Sequence, residues 1–273
     1  MTESELFVIE KQFEGYVASF KTANSTLPPP LQLKKEHCKR VAAEAQTLSA
    51  DLEWALSEQI LAEAIGLLHD IGRFSQFSEF NTFSDAVSID HGERGAAVMN
   101  QLNWLSKLPD EEHLIVIDSI RYHNRLAIPD NLSDRSAAFL RLVRDADKLD
   151  IIGIVLNAMK QNGFSDLPTM LPNIAMDRTP SQQFIDEIAR HKRASLNNVN
   201  SLADFLLMQL SWVYDLNYPV TLKRFYDRNI PSKILKYLNN DIRIQTFEKE
   251  IYRYIINRIH EANQPYKIRT ALS

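Results

Sequence analysis

Apolar positions along this chain recur at steps of three and four for most of its length, and no convincing pair of strands appears. Leu6, Ile9, Phe13, Val17 and Phe20 form one such stripe, with Thr2 and Glu5 before it at capping-box spacing. That helix is expected to end before Leu27-Pro28-Pro29-Pro30, a stiff connector that cannot continue it. A second helix is predicted at about 33–48 and a third at 51–70, with Gly72 ending the third. Further helices are predicted near 91–105, 111–124 and 134–161, then near 181–197, 199–215, 217–229 and 241–262. The stretch 73–90 reads as irregular, with Phe74, Phe77, Phe80 and Phe83 spaced through it. Loops of that length without a role are uncommon. It reads either as a substrate-side loop packed by its phenylalanines or as a packed surface loop. The fold class is all-α.

Polar residues interrupt these stripes on their inward side. His37 shares a face with Val41, Ala45 and Leu48, and His69 lies over Ile65 and Ala62. His123 lies over Ile120 and Val116, and His91 shares a face with Gly95, Val98 and Leu102. Asp147 sits between Val143 and Leu140 on one side and Ile151 and Ile154 on the other. A buried carboxylate without partners is costly, and it neutralises unless paired or metal-bound. One inward histidine is usually a satisfied core residue. Four histidines and an aspartate on separate apolar faces are satisfied most economically by meeting around a cation, and a helix-bundle core is a natural place for that. His69-Asp70 puts two ligand types side by side, and imidazoles with carboxylates suit Mn, Fe, Co, Ni or Zn.

Bulk properties narrow the setting. A chain of 273 residues has room for one large domain or two small ones, and 45% hydrophobic with 24% charged residues is ordinary for a globular protein. A net charge of −4 argues against stable nucleic-acid binding. The single cysteine, Cys38, excludes an internal disulfide and fits a reducing compartment. It adjoins His37 but projects about 100° away on a helix, so it reads as a small buried hydrophobe. The opening MTESELFVIEKQFEG carries acids where a signal peptide needs basic residues. No apolar run approaches the roughly 20 residues of a membrane span. The expected setting is cytoplasmic, away from membranes. The proline-bearing stretch 168–180 is the best boundary. The expected organisation is an N-terminal helix and connector (1–30), a metal-binding domain (31–165) and a C-terminal helical region packed on it (166–273).

The order His37, His69-Asp70, Asp147 resembles the HD superfamily of metal-dependent phosphohydrolases. The likeness extends to Leu67-Leu68-His69-Asp70-Ile71-Gly72 and to Arg144-Asp145-Ala146-Asp147-Lys148-Leu149-Asp150, and it spans roughly 33–160. Asp145 and Asp150 compete for the final ligand role; Asp147 is preferred because family members place that aspartate after an alanine and because its face is apolar. His91, in Asp90-His91-Gly92-Glu93-Arg94-Gly95, and His123, in Tyr122-His123-Asn124, resemble the extra histidines of two-metal members. The resemblance implies an HD helical bundle with additional C-terminal helices and one or two divalent transition-metal ions. His37, His69, Asp70 and Asp147 would hold the first, and His91 and His123 the second, with Asp70 bridging. HD-GYP phosphodiesterases usually have a His-His pair where this chain has His123-Asn124, and the Gly-Tyr-Pro signature is absent.

What this implies is hydrolysis of a phosphate ester by a metal-activated water, with Asp70 as the catalytic residue. The partner would be a small phosphorylated substrate, a nucleotide or a related phosphoester. Lys148, Arg73 and Arg94 are candidate substrate-binding cations, each with a solvated or salt-bridged surface charge as the alternative reading. Asn124 is a candidate for orienting a water or a phosphate oxygen. Glu93 reads as an exposed helix acid, and His113, His191 and His260 are assigned no function. Two other readings stay open. The ligand order also resembles the mixed-valence di-iron oxygenases of the superfamily, and a non-catalytic nucleotide-sensing or interaction module could keep a metal for structure.

Overall fold

The computed structural model describes residues 1–162, 174–195, 198–239 and 242–263. Those residues are helical, with short 3-10 turns, an isolated bridge between Ala175 and Ser201, and no strand. The chain divides into two compact units, Met1–Ile151 and Ile152–Ser273.

In the first unit, α1 (Glu3–Ala18) starts on the reciprocal Thr2–Glu5 capping box and buries Leu6, Ile9, Phe13 and Val17. The proline run does not hold the next helix off until residue 33. Helix α2 spans Pro29–Asp51, and its prolines stand in the first turn. There a missing N–H has no intrahelical partner to lose, and the fixed φ suits the helix. Helix α3 (Leu56–Leu68) is shorter than predicted, because a turn with Glu53 at φ 57° precedes it. It packs on α2 so closely that a Cβ on Gly66 would stand 2.8 Å from the Ala42 Cα and the Val41 carbonyl oxygen.

The stretch 73–90 departs most from the prediction. Most of its first half is helix α4 (Gly72–Phe80), closed by Asn81 in the left-handed region at φ 53°. The phenylalanine spacing of three was a helical period, and Phe74 is fully buried against Phe13. Gly72 opens this helix rather than ending α3. A Cβ there would overlap the His91 carbonyl oxygen, so glycine is what lets α4 lie against helix α5 (His91–Leu102). A connector (81–90) with a 3-10 turn at Asp85–Val87 joins the two. Asp90 caps α5 by accepting from the Glu93 N–H. Helix α6 (Asp110–Tyr122) packs on α5, and the long α7 (Asp134–Asn162) carries the sequence on past the division between the units.

The second unit contains α8 (Gln182–His191), α9 (Leu202–Ser211), α10 (Pro219–Asp227), α11 (Ile230–Leu235) and α12 (Ile242–Asn263). Every residue of α9 is buried, its polar Asp204, Gln209 and Ser211 included. The predicted helix at 217–229 stops at Asp227, and α11 comes after Asn229 at φ 53°. Much of the expected 168–180 boundary lies outside the described residues. No helix among the described residues is long and apolar enough to cross a membrane.

Candidate metal centre

Four helix segments of the first unit aim imidazoles at one buried point. His37 comes from the middle of α2, His69 from the residue after α3, His91 from the first residue of α5, and His123 from the residue after α6. All four are at most 7% exposed. They meet in two pairs, with Nε2 atoms 3.2 Å apart for His37 and His69 and 3.0 Å apart for His91 and His123.

Asp70 stands between the pairs at 3% exposure. Its Oδ2 lies 3.6 and 3.7 Å from the Nε2 atoms of His37 and His69. Its Oδ1 lies 3.4 and 3.5 Å from those of His91 and His123. Asp147, on α7, reaches only the first pair: its Oδ1 is 3.1 Å from His37 Nε2 and 3.6 Å from His69 Nε2. Two buried His/Asp triads that share Asp70 therefore stand side by side, and both could hold a metal ion.

The protons say more than the distances. His69 Nδ1 faces the Gly66 carbonyl oxygen at 2.7 Å and His123 Nδ1 faces that of Ile120 at 2.8 Å. His37 Nδ1 faces Asp150 Oδ2 at 2.7 Å and His91 Nδ1 faces Asp85 Oδ2 at 2.6 Å. All four partners are acceptors, so each Nδ1 donates and each neutral ring turns the Nε2 lone pair inward. Lone pairs 3.0–3.2 Å apart repel unless positive charge lies between them. Such separations suit two imidazoles sharing a cation at about 2.0–2.1 Å. Asp147 Oδ1 is also buried without a hydrogen bond. The residues present fit one or two divalent metal ions.

Charge is balanced around this point. Burial opposes the Asp70 charge, but Lys34, His69, His123 and Arg73 hold its carboxyl well below the usual carboxylate range. Burial likewise opposes the Asp147 charge, which His37 and His69 outweigh. Burial pushes the His91 imidazole down to about 4 despite its hydrogen bond to Asp85. At His37 the neighbouring carboxylates of Asp147 and Asp150 overcome burial and raise it. Cys38 is fully buried, and burial pushes its thiol well above the ordinary range, as suits a small hydrophobe.

The remaining candidates scatter. Arg73 Nε is 3.4 Å from Asp70 Oδ1, but its Nη1 is committed to Gln76 Oε1, the Phe83 carbonyl and Asp85 Oδ1. Arg94 pairs with Glu79 on α4 at 2.7 Å rather than with any of the six ligand candidates. Lys148 is half-buried beside Asp147. Asn124 donates to Asp90 and Asp85 and leaves its own buried oxygen without a hydrogen bond. Asp150, the rival to Asp147, supports His37 from behind while Arg40 grips both of its oxygens at 2.6 and 3.0 Å. His113 is half-buried, and His191 and His260 are exposed.

Lys34, Asp85, Arg40 and Gln76 were not singled out from the sequence. Lys34 Nζ donates to Asp70 Oδ2 at 2.7 Å and stands 5.7 Å from the Phe83 ring centre. Lys34 and Arg40 had a signal: each is three residues from His37 and shares its face. Asp85 had none, because only the folded connector brings it to His91.

No curated protein and no solved structure matches the chain. The HD domain family model matches residues 35–152, which hold all six ligand candidates. Residues 35–152 are an HD domain.

Proposed function

We propose that this protein is a metal-dependent phosphohydrolase acting on a small phosphate ester, with nucleotides and related phosphoesters as the leading substrates. The observation that carries the reading is the division of Asp70, one oxygen toward each histidine pair. HD domains are typically metal-dependent phosphohydrolases, which supports the same reading. Paired divalent cations, when bound, supply a water of lowered pKa and positive charge for the oxygens of a phosphoryl group.

The chain's own residues supply position and charge. The four Nδ1 hydrogen bonds fix ring orientation, so the inward lone pairs are set before a ligand arrives. Asp70 spaces the two pairs. Lys34 is partly open at 19% side-chain exposure and brings an ammonium to the edge of the centre, where a phosphate oxygen would meet it. Lys148, beside Asp147, is the second candidate for that contact. Arg73 has its Nη1 turned to α4 and the connector, so its contribution to substrate is charge at a distance.

Metal analysis of the native protein, with a phosphate-release screen over nucleotides and generic phosphoesters, tests the proposal. Bound transition metal with release of phosphate or a phosphomonoester is the expected result. Oxygen consumption with a mixed-valence iron signal and no phosphatase activity would replace it with the oxygenase reading. Tight nucleotide binding without turnover would replace it with the sensing module.

A further inference from the structure

The two histidine pairs are built alike and held differently. In each, one ring is keyed to a carbonyl three residues back on its own chain, His69 to Gly66 and His123 to Ile120. The other ring is keyed to a carboxylate from elsewhere, His37 to Asp150 and His91 to Asp85. Asp150 rides on α7, is 10% exposed and is gripped by Arg40. Asp85 rides on the 3-10 turn of the connector and is 32% exposed. That turn is tied down from α4. Arg73 Nη1 donates to Asp85 Oδ1, and the fully buried Gln76 amide donates to Asp85, Ser88 and the Ile89 carbonyl, all at 2.9 Å.

A second donor faces the same ring. Asn124 Nδ2 lies 3.4 Å from His91 Nδ1 and equally far from Asp85 Oδ2, while it also donates to Asp90 Oδ1 at 3.1 Å; without the Asp85 carboxylate its second hydrogen has only the His91 ring to face. An amide donor selects the opposite tautomer from a carboxylate, with Nδ1 accepting and the proton moved to Nε2. That proton would point straight at the position between His91 and His123.

We infer that Asp85 is the positioning residue for the His91–His123 half of the centre, and that it decides the His91 tautomer against Asn124. The second cation is then conditional on the connector being docked, while the first is not. Neither Asp85 nor Asn124 touches a reacting atom in this role. The inference rests on the two-cation reading of the centre but not on the reaction assigned to it.

The test uses the full chain, stripped with a chelator and titrated with Mn²⁺ by calorimetry. The wild-type chain is expected to bind two ions. Asp85→Ala is expected to keep the first, which reports that the fold is intact, and to weaken the second by roughly 10- to 100-fold. Adding Asn124→Ala to Asp85→Ala removes the competing donor and is expected to restore part of that loss, which a merely structural role for Asp85 would not predict. Two ions with wild-type affinities in Asp85→Ala overturn the inference, as does a double variant no better than the single one. Loss of both ions in Asp85→Ala also overturns it, because the effect would not be confined to one half. A wild-type chain that binds only one ion overturns the inference together with the two-cation reading. Two ions without any phosphate release overturn the proposed reaction and leave this inference standing.

Discussion

Asp70 in the first unit and Asp204 in the second are both almost completely buried, at 3% and 1% exposure, and they do opposite things. Asp204 accepts from the Ser181 backbone N–H at 3.0 Å and its hydroxyl at 3.2 Å on one oxygen, and from the Asn200 N–H at 3.3 Å on the other. It is a carboxylate consumed by fixed dipoles, tying the start of α8 to α9. Asp70 instead faces four imidazole nitrogens whose protons lie on their far sides, with Lys34 and Arg73 at its flanks. Burial alone therefore does not mark a functional acid. What marks it is whether its neighbours already supply protons, or only lone pairs awaiting a cation.

The largest effect that separates the two is expected from truncation. Asp70→Ala should abolish binding at both cation positions and reduce phosphate release to background, while circular dichroism shows a retained helical fold. Full activity in that variant would sink the assignment. Splitting the centre comes next. His91→Ala should lower the metal content by one ion per chain with the first position kept, and His37→Ala should do the converse. Unchanged stoichiometry in His91→Ala would make the centre mononuclear.

Acid should then act on the first unit when cations are absent. Because His91 titrates near 4 when folded, below its ordinary value near 6.5, the unfolded chain binds a proton between those values that the folded chain refuses. This contribution is complete above about pH 6.5 and is lost as pH falls toward 4, by on the order of 3 kcal/mol at most. His37 is raised and works the other way, its contribution present at low pH and lost as pH rises through its folded value. Replacing His91 with Phe should flatten the acid limb of a chemical-denaturation series on the stripped protein. The smallest expected effect is in the second unit. Asp204→Ala should cost about 1–3 kcal/mol in denaturant unfolding through its stranded donors, and leave Mn²⁺ binding untouched.

The sequence was informative where a residue's own helix dictates its direction. Each of His37, His69, His91, His123 and Asp147 interrupts an apolar stripe, and the structure brings the four histidines to Asp70 and Asp147 to the first pair. The all-helical class comes from the same period. Local rules make prolines and glycines terminators, yet Pro29 and Pro30 start α2 and Gly72 opens α4. Their role depends on the residues after them, and for Gly72 on α5, which starts nineteen residues further on at His91. Asp85 shows the same gap for the centre. Its partner His91 is six residues on, but a connector with no period gives no direction for either side chain.

Gly66 has no side chain, yet it sets how closely α3 can approach α2, the two helices that bring His69 and His37 together. Main chain meets main chain where α3 crosses α2 at that residue, and its carbonyl also holds His69. The gap between His37 and His69 is thus gauged by the hard radii of peptide atoms, not by side chains that can slide or repack. An aperture set that way does not stretch to suit its occupant. An ion held there would meet a gap that resists stretching, so ionic radius as well as ligand chemistry would bear on which metal fits.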